Sequence, residues 1–361
     1  MNSAFISFAF SAIVSYIILA TKRYHINITG DDVLSGRQRF HISVVPRVGG
    51  IGIICGIICS SYIRLVTNPH DASIALDLVL VSLPVLVGGL VEDTTKRVGV
   101  LTRLTLCTVS AMAAAYFMDA WITSLDIPFL DSIFKGNSSL SLLFSIFAIV
   151  GLTNSFNIID GYNGLTGVVS IFILSAIGYV AFKVGDIEVM FAILVMIGGI
   201  AGFLIFNYPR GLMFLGDGGA YLIGFWISVL AILLVTRNVE VSKWFPLMVV
   251  IYPVTETLFS IFRRVLLNRK GATTPDSAHL HHLIYFRLPG WLGFSVDDKS
   301  VARNSATSPY LWAVGLVSII PAVIFWRDTS VLRLFIFLFV LAYIIIYFRL
   351  LKLVRRERDS A

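Results

Sequence analysis

The feature that most constrains this chain is a series of long apolar segments separated by short polar ones. A helix that crosses about 30 Å of hydrocarbon needs about 20 predominantly apolar residues. Eleven segments approach that length: 4–20, 48–65, 74–91, 100–118, 139–153, 165–182, 188–206, 219–235, 244–261, 310–326 and 330–348. With 14% charged residues and a mean hydropathy of +0.87, the chain has more apolar surface than one water-soluble core can bury. The sequence therefore predicts an all-α, polytopic membrane protein, with residues 1–361 as a single domain, and excludes a cytosolic enzyme.

The distribution of basic residues predicts the orientation of these spans. No basic residue precedes the first span, whereas Lys22 and Arg23 follow it. By the positive-inside rule the N-terminus is then outside, and eleven spans place the C-terminus in the cytoplasm. The predicted cytoplasmic loops are 21–47, 92–99, 154–164, 207–218 and 262–309. They and the tail hold most of the 28 Lys and Arg residues, so we interpret the net charge of +7 as a sign of topology and expect no nucleic-acid partner.

Four polar stretches interrupt the apolar pattern, and all of them reach the cytoplasmic face in this topology. They lie at 88–96, 154–164, 214–219 and 279–282. Asp93, Asp160 and Asp217 supply the hard oxygen ligands that Mg²⁺ prefers. Lys96, together with glycine-rich backbone near helix N-termini, favours the binding of phosphate groups. This combination is typical of metal-assisted phosphoryl transfer, with Mg²⁺ as the expected ion and Mn²⁺ as a substitute.

Each of these stretches also has a purely structural interpretation. Glu92 and Lys96 lie four residues apart and could form an ion pair on one helix, and Asp217 could cap the eighth span from just outside its N-terminus. The alternative function is a transporter or flippase for an anionic lipid-linked sugar. That function would place ionisable residues at mid-span along a path. The clustering of the acidic motifs at one face favours an enzyme.

The histidines and one intramembrane glutamate leave further alternatives open. His279, His281 and His282 could form a zinc site, but no cysteine or fourth ligand lies near them in the sequence, so contacts to a phosphate or a sugar fit better. Glu256 follows Pro253 in the ninth span, where a proline can bend the helix. Its carboxylate is either buried near that bend or paired with an arginine at 263–264.

In this order, the motifs resemble those of the polyprenyl-phosphate N-acetylhexosamine-1-phosphate transferases. These enzymes initiate bacterial surface polysaccharides such as O-antigen, and they are related to the phospho-MurNAc-pentapeptide transferase. The resemblance covers nearly the whole chain, because the motif order and the number of intervening spans both agree. The matching segments are the acidic pair and lysine at 92–96, the Asn-x-x-Asn-x-x-Asp-Gly-x-Asn-Gly-Leu run at 154–165, Asn207 with Phe-Leu-Gly-Asp at 214–217, and His-x-His-His at 279–282.

The resemblance implies a reaction and a role for each matching residue. The phosphate of undecaprenyl phosphate attacks the sugar-linked phosphorus of a UDP-N-acetylhexosamine, and UMP leaves. The implied roles are Mg²⁺ ligation by Asp217, action on the lipid phosphate by Glu92 or Asp93, positioning of the nucleotide or diphosphate by Asp160 and Asn163, contacts to phosphate or sugar by Lys96, His279, His281 and His282, and substrate binding by Asn154, Asn157, Asn207 and Phe214. The implied location is the inner membrane of a bacterium, with the site facing the cytoplasm, and a homodimer is left open.

The chain departs from the family pattern at three places. Glu92 stands where Asp is usual and is one methylene longer, so Asp93 becomes the stronger candidate for the proton-accepting role. Asn163 stands at a position that is also Asp in the family, which removes a charge and a magnesium ligand. The His-Leu-His-His run lacks the triple histidine and acid of the peptidoglycan enzyme. A MurNAc-pentapeptide donor is therefore not expected.

Overall fold

The computed structural model describes residues 2–30, 44–67, 73–267, 279–293 and 300–360. Helices account for nearly all secondary structure in these ranges, and Gly30 and Pro46 form an isolated antiparallel bridge. The helices are α1 (Asn2–Ala20), α2 (Lys22–Thr29), α3 (Gly49–Thr67), α4 (Ser73–Thr95), α5 (Val100–Met118), α6 (Pro128–Gly136), α7 (Ser138–Ile159), α8 (Leu165–Val184), α9 (Ile187–Asn207), α10 (Gly216–Arg237), α11 (Phe245–Val249), α12 (Ile251–Phe262), α13 (Leu280–Leu292), α14 (Val301–Ile324) and α15 (Thr329–Ser360), and a π-helical turn (Arg263–Leu267) follows α12.

Ten of the helices in the described ranges are long and apolar enough to cross a membrane, which confirms the all-α polytopic class. The predicted ninth span, 244–261, is not one straight helix, because the chain breaks at Val250 into α11 and α12. Pro253 explains the break: proline has no backbone N–H to donate, and its ring clashes with the carbonyl four residues earlier in a continuous helix. This is the bend that Pro253 predicted.

The broken segment still connects the two ends of the bundle. Just before α11, the indole Nε1 of Trp244 donates to the carbonyl of Leu125 at 2.8 Å, in the connection between α5 and α6. At the other end, Glu256 in α12 lies beside His279. Together with the ten long apolar helices, this broken segment makes eleven crossings of the bundle within the described ranges. Which end faces the cytoplasm, and hence the sides of the two termini, stays a prediction.

Helix α10 is the central helix of the bundle, and all of its residues from Gly216 to Val235 are buried. Glycines allow neighbouring backbones to approach its first turn closely. A Cβ on Gly89 of α4 would lie 2.5 Å from the Cα of Gly218, so only glycine fits there. Small residues at helix contacts are typical of membrane bundles, and the same rule brings α1 to α9, where Ser7 and Ser11 donate to backbone carbonyls.

Several predicted loops are partly helical. Helix α4 continues to Thr95 and therefore contains Glu92 and Asp93, and α7 continues to Ile159 and contains Asn154 and Asn157. Of the predicted cytoplasmic loops 21–47 and 262–309, the parts 31–43, 268–278 and 294–299 lie outside the described residues. These longer helices place the acidic motifs at helix ends, where tertiary packing fixes them.

Candidate active site

Asp93 binds the first turn of α10 from the neighbouring helix α4. Its Oδ1 accepts the backbone N–H of Asp217 at 2.8 Å and its Oδ2 accepts that of Gly218 at 2.9 Å. The first N–H groups of a helix have no partner within that helix, and an anion there also interacts favourably with the helix dipole. Asp93 is only 2% exposed, so this carboxylate caps the central helix from the side. The alternative in which Asp217 is itself the cap was wrong.

Two arginines that belong to none of the sequence motifs contact Asp217. Arg47 Nη2 lies 3.2 Å from Oδ1 and Arg103 Nη1 lies 2.8 Å from Oδ2. Arg47 also lies 3.8 Å from Asp93 Oδ1. Both arginines stand near predicted span ends, where basic residues are common for reasons of topology. No local signal distinguishes them, and their role is visible only once α3, α5 and α10 are packed together.

Gly216 makes this arrangement possible. Its φ of +76° lies in the left-handed region that favours glycine. A Cβ there would lie 2.3 Å from the Arg47 carbonyl oxygen and 2.5 Å from Asp93 Oδ2. The Leu-Gly-Asp segment therefore needs glycine both for its backbone conformation and for the approach of Asp93. The same turn presents Asp217, which is 8% exposed, at the end of the bundle.

Asp160 is the third acidic residue of the cluster and ends α7. Burial raises the pKa of its carboxyl from 3.8 to about 6, against the lowering effects of Thr166 and Arg47, and the charge of Asp217 raises it as well. Asp160 is thus within electrostatic range of both Asp217 and Arg47. The three aspartates that the sequence singled out lie at the same end of the bundle.

Asn163 and Asn207 hold the turn that follows Asp160. The backbone N–H of Asn163 donates to Asn304 Oδ1 at 2.9 Å, and its side-chain amide donates to Ser305 Oγ at 3.1 Å. Asn207 Oδ1 accepts the N–H of Gly164 at 2.7 Å, and its amide donates to the carbonyl of Met213 at 2.8 Å. Asn207 therefore ties the turn at 160–164 to the segment that leads into α10, which supports the expected polar network.

A small cavity of about 100 Å³ lies beside this turn. Phe214 and Asn163, the two residues to which the resemblance gives nucleotide contacts, both line it; that role stays a prediction. Two basic residues that belong to none of the sequence motifs, Lys22 and Arg210, also line the cavity. An aromatic face, an amide and two cations are the groups that bind a base and its phosphates.

Glu92 and Lys96 do not form the i,i+4 ion pair that was left open as an alternative. Glu92 Oε2 accepts the backbone N–H of Val98 at 2.7 Å, and the ammonium of Lys96 donates to the carbonyl of Gly30 at 3.0 Å. Glu92 is half-buried and Lys96 is exposed. Gly30 forms the bridge with Pro46, the neighbour of Arg47, so Lys96 lies at the edge of the acidic cluster.

The histidine motif closes the site on the side of the 160–164 turn. Tyr162 and His282 are joined by a hydrogen bond of 2.9 Å between the phenol oxygen and Nδ1, and Tyr162 also packs edge-on against His281. Burial, with a smaller effect from neighbouring charges, lowers the pKa of His281 well below its ordinary value and that of His282 to about 3. Both imidazoles are therefore neutral at pH 7.

Glu256 lies behind these histidines rather than beside an arginine. It is 1% exposed; its Oε1 accepts the backbone N–H of Leu280 at 2.8 Å and its Oε2 accepts the Tyr343 hydroxyl at 2.8 Å. The same Oε1 lies 3.2 Å from His279 Nδ1. Of the two alternatives, the buried position near the bend is confirmed.

Asn154 and Asn157 stand further from the cluster. The Asn154 amide donates to the carbonyl of Val150 at 2.8 Å within its own helix. Asn157 contributes its backbone carbonyl, which accepts the N–H of Asp160 at 3.3 Å. The structure gives neither side chain a partner in the cluster within the described residues, so their expected substrate contacts stay predictions.

The donor set at the cluster fits a magnesium ion. Asp217 supplies one carboxylate, Asp160 supplies a second one within electrostatic range of it, and the guanidinium groups of Arg47 and Arg103 balance the charge of Asp217. Mg²⁺ is typically bound by one or two carboxylates, with waters and substrate phosphates as its remaining ligands. Asp217 and Asp160 are the residues that would hold it.

The fold and this site define a polytopic α-helical membrane protein with a carboxylate–arginine cluster at one end of its bundle, suited to an anionic substrate. The sequence model of glycosyl transferase family 4 matches residues 75–235 of this chain. That stretch contains Asp93, Arg103, Asp160 and Asp217.

Curated relatives extend the similarity beyond that stretch. The chain is 29% identical to a probable undecaprenyl-phosphate N-acetylglucosaminyl 1-phosphate transferase of Bacillus subtilis, over 79% of this chain and 80% of the relative. It is 28% identical to a phospho-N-acetylmuramoyl-pentapeptide-transferase of Desulforamulus reducens, over 78% and 83%. It is 26% identical to an undecaprenyl-phosphate alpha-N-acetylglucosaminyl 1-phosphate transferase of Thermotoga maritima, over 70% and 72%.

Proposed function

We propose that this protein transfers N-acetylhexosamine 1-phosphate from a UDP-sugar to undecaprenyl phosphate and releases UMP. The observation that carries the proposal is the meeting of Asp93, Asp160 and Asp217 with Arg47 and Arg103 at one end of a membrane bundle. The names of the relatives and the order of the sequence motifs support the same reaction. The product is a polyprenyl-diphosphate sugar, which would start a lipid-linked surface polysaccharide such as O-antigen.

In the proposed complex, the diphosphate of the donor binds at Asp217. A Mg²⁺ held by Asp217, with Asp160 near it, would supply charge neutralisation to the diphosphate. Arg47 and Arg103, which contact Asp217, are long enough to turn one guanidinium face to phosphate oxygens, and arginine binds such oxygens in a bidentate manner. In the adjoining cavity, Phe214 can stack on the uracil ring while Asn163 contacts its edge.

In the proposed complex, the phosphate of the lipid acceptor binds near Glu92. Both carboxylate oxygens of Asp93 bind backbone N–H groups, so Asp93 serves as a positioning residue. Glu92 uses only Oε2, for Val98, and its Oε1 has no hydrogen-bond partner in the described part of the chain. We therefore assign to Glu92 the contact with the lipid phosphate, although it is one methylene longer than the usual Asp.

The membrane position of the site follows from the chemistry of its two substrates. A lipid phosphate lies at headgroup depth, while a UDP-sugar is dissolved in the cytosol. The site must therefore open where both meet, on the cytoplasmic side of a bacterial inner membrane. Helix α12, which also carries the buried Glu256, exposes Leu258 and Phe262, and such apolar side chains can accompany the prenyl tail.

The test is a transferase assay on the protein purified in detergent, with undecaprenyl phosphate, Mg²⁺ and a series of UDP-N-acetylhexosamines. UMP release and the mass of the lipid product are measured. We expect turnover with at least one donor. Replacing Asp217 by Asn should lower UMP release by at least about 100-fold, which is typical of removing a group that stabilises transition-state charge.

The matched control is Asp186→Asn at the opposite end of the bundle. Asp186 is also a buried aspartate, and it pairs with Arg237 at 3.0 Å, so its loss costs a comparable ion pair. Asp186→Asn should keep normal UMP release. Near-normal turnover in Asp217→Asn would remove that residue from the site. The absence of UMP with every donor would overturn the proposal and favour a transporter.

A further inference from the structure

A second group of metal-binding side chains lies next to the cluster just described. It consists of Glu256 of α12, His279 and His281, whose ligand atoms all lie within 4.8 Å of one another. His279 Nδ1 is 3.2 Å and His281 Nδ1 is 3.6 Å from Glu256 Oε1. The proposed transfer reaction needs none of the three as a magnesium ligand.

The spacing of these atoms matches the coordination shell of a small divalent ion. Zinc binds histidine nitrogen and carboxylate oxygen at about 2.0–2.2 Å, in tetrahedral sites. Two ligands of such a tetrahedron are therefore about 3.3–3.6 Å apart. Both measured nitrogen–oxygen distances, 3.2 and 3.6 Å, are close to this range.

The hydrogen bonding of the group points the same way. Nδ1 of His279 and Nδ1 of His281 are buried and have no hydrogen-bond partner within the described ranges, although both face the carboxylate. The His281 side chain is 2% exposed, so it cannot turn to water. Buried polar atoms normally find a partner, and an ion bound between the two nitrogens and Oε1 would be a partner for both.

The other contacts of Glu256 hold it in position for this role. Tyr343 donates to Oε2 and the Leu280 N–H donates to Oε1, which leaves a lone pair on Oε1 available to a metal. Groups that hydrogen-bond to a metal ligand orient it and tune its affinity. The sequence alone did not favour zinc because no further ligand lies near the histidines. The fold supplies that ligand from a helix more than twenty residues earlier.

We propose that Glu256, His279 and His281 bind a divalent transition-metal ion of the zinc class, separate from the magnesium at Asp217. Imidazole ligands select zinc-like ions over magnesium. Three protein ligands leave a fourth position for water or a substrate oxygen. The ion would join α12 to the start of α13 and so fix the histidine motif against the turn that contains Tyr162.

The test measures metal binding by the full-length protein, purified in detergent without a polyhistidine tag and stripped with a chelator. Zn²⁺ is added, unbound ion is removed by gel filtration, and bound zinc is counted per chain. Co²⁺ serves as a spectroscopic probe, because its visible absorption reports tetrahedral nitrogen and oxygen ligands. We expect one ion per chain, bound at micromolar concentration and retained in millimolar Mg²⁺.

Two variants and two controls make the outcome specific. Glu256→Gln and His279→Gln should each weaken zinc binding at least 10-fold. His279→Gln leaves both hydrogen bonds of Glu256 in place, so it still tests the site if Glu256→Gln fails to fold. His25→Gln removes a histidine whose two nitrogens are already bonded, and it should bind zinc normally. Asp217→Asn should lose UMP release yet keep zinc, which separates this proposal from the proposed function.

The proposal is overturned if the stripped protein takes up no zinc or cobalt. It is equally overturned if the two ligand variants bind as tightly as the unaltered chain, or if millimolar Mg²⁺ displaces the ion. A protein without uptake would instead hold Glu256 and His279 as a simple carboxylate–imidazole pair.

Discussion

The cap that Asp93 places on the central helix can be tested by replacing Asp93 with Asn. The carboxylate accepts two backbone N–H groups at 2.8 and 2.9 Å. An amide has one oxygen, so it can satisfy one of these donors, while its own NH₂ group faces the other. One buried N–H is then left without an acceptor, at a cost of about 1–3 kcal/mol.

Two further effects change this magnitude. The negative charge at the start of α10 is lost, which costs up to about 2 kcal/mol in a partly buried geometry. The repulsion between Asp93 and Asp217 is also relieved, which offsets part of that loss. We expect a net destabilisation of about 2–4 kcal/mol.

The same replacement should loosen the backbone that carries Asp217 and so weaken the apparent affinity for Mg²⁺. A loss of about 1.4 kcal/mol in binding corresponds to a 10-fold weaker affinity. Because Asp93 contacts the backbone of Asp217 rather than the reacting atoms, turnover at saturating Mg²⁺ should fall by less than about 10-fold. The assay combines denaturation of the detergent-purified protein with Mg²⁺ titrations of UMP release.

Asn137→Ala is the matched control. Asn137 also caps a helix with two N–H bonds, to Ser139 and Leu140, but it lies at the other end of the bundle. It should cost about 1 kcal/mol and leave the Mg²⁺ titration unchanged. If Asp93→Asn keeps normal stability and loses turnover at every Mg²⁺ concentration, Asp93 acts in the chemistry itself and the capping argument fails.

Four further predictions concern the neighbouring groups and the orientation of the site in the membrane. Since the pKa of Asp160 is raised to about 6, its protonated form predominates below pH 6. We therefore expect kcat/KM to fall as the pH is lowered through about 6. If the residual activity of Asp160→Asn fell with the same pH midpoint, the prediction would be contradicted. Arg103→Met removes one positive charge beside Asp217, so Mg²⁺ should bind more tightly. The KM for the UDP-sugar should rise about 10-fold, because a contact to the diphosphate is lost. An unchanged KM in steady-state kinetics would exclude that contact. Glu92→Asp, which shortens the side chain away from Val98, should keep measurable UMP release, and complete inactivity would show that the reach of Glu92 is required. A reporter fused after Asp160 should give a cytoplasmic signal, and an external signal would reverse the predicted topology.

The sequence by itself determined the class of fold. Apolar segments near 20 residues in length need no tertiary information, because the bilayer sets that length for each helix separately. The break between α11 and α12 was also foreseeable at Pro253, since the effect of proline on its own helix is local. The positions of Asp93, Asp160 and Asp217 at one end of the bundle followed from the alternation of spans.

Only the tertiary structure decided what these residues contact. Asp93 binds backbone 124 residues further along the chain, and Arg47 reaches Asp217 across 170 residues. Glu256 meets the histidine motif because the start of α13 lies beside α12, where the Leu280 N–H donates to Glu256. Local periodicity determines which residues form a helix and which face is apolar. It carries no information about which helices become neighbours. The packing of the helices is what brings Arg47, Arg103 and Glu256 to the site region.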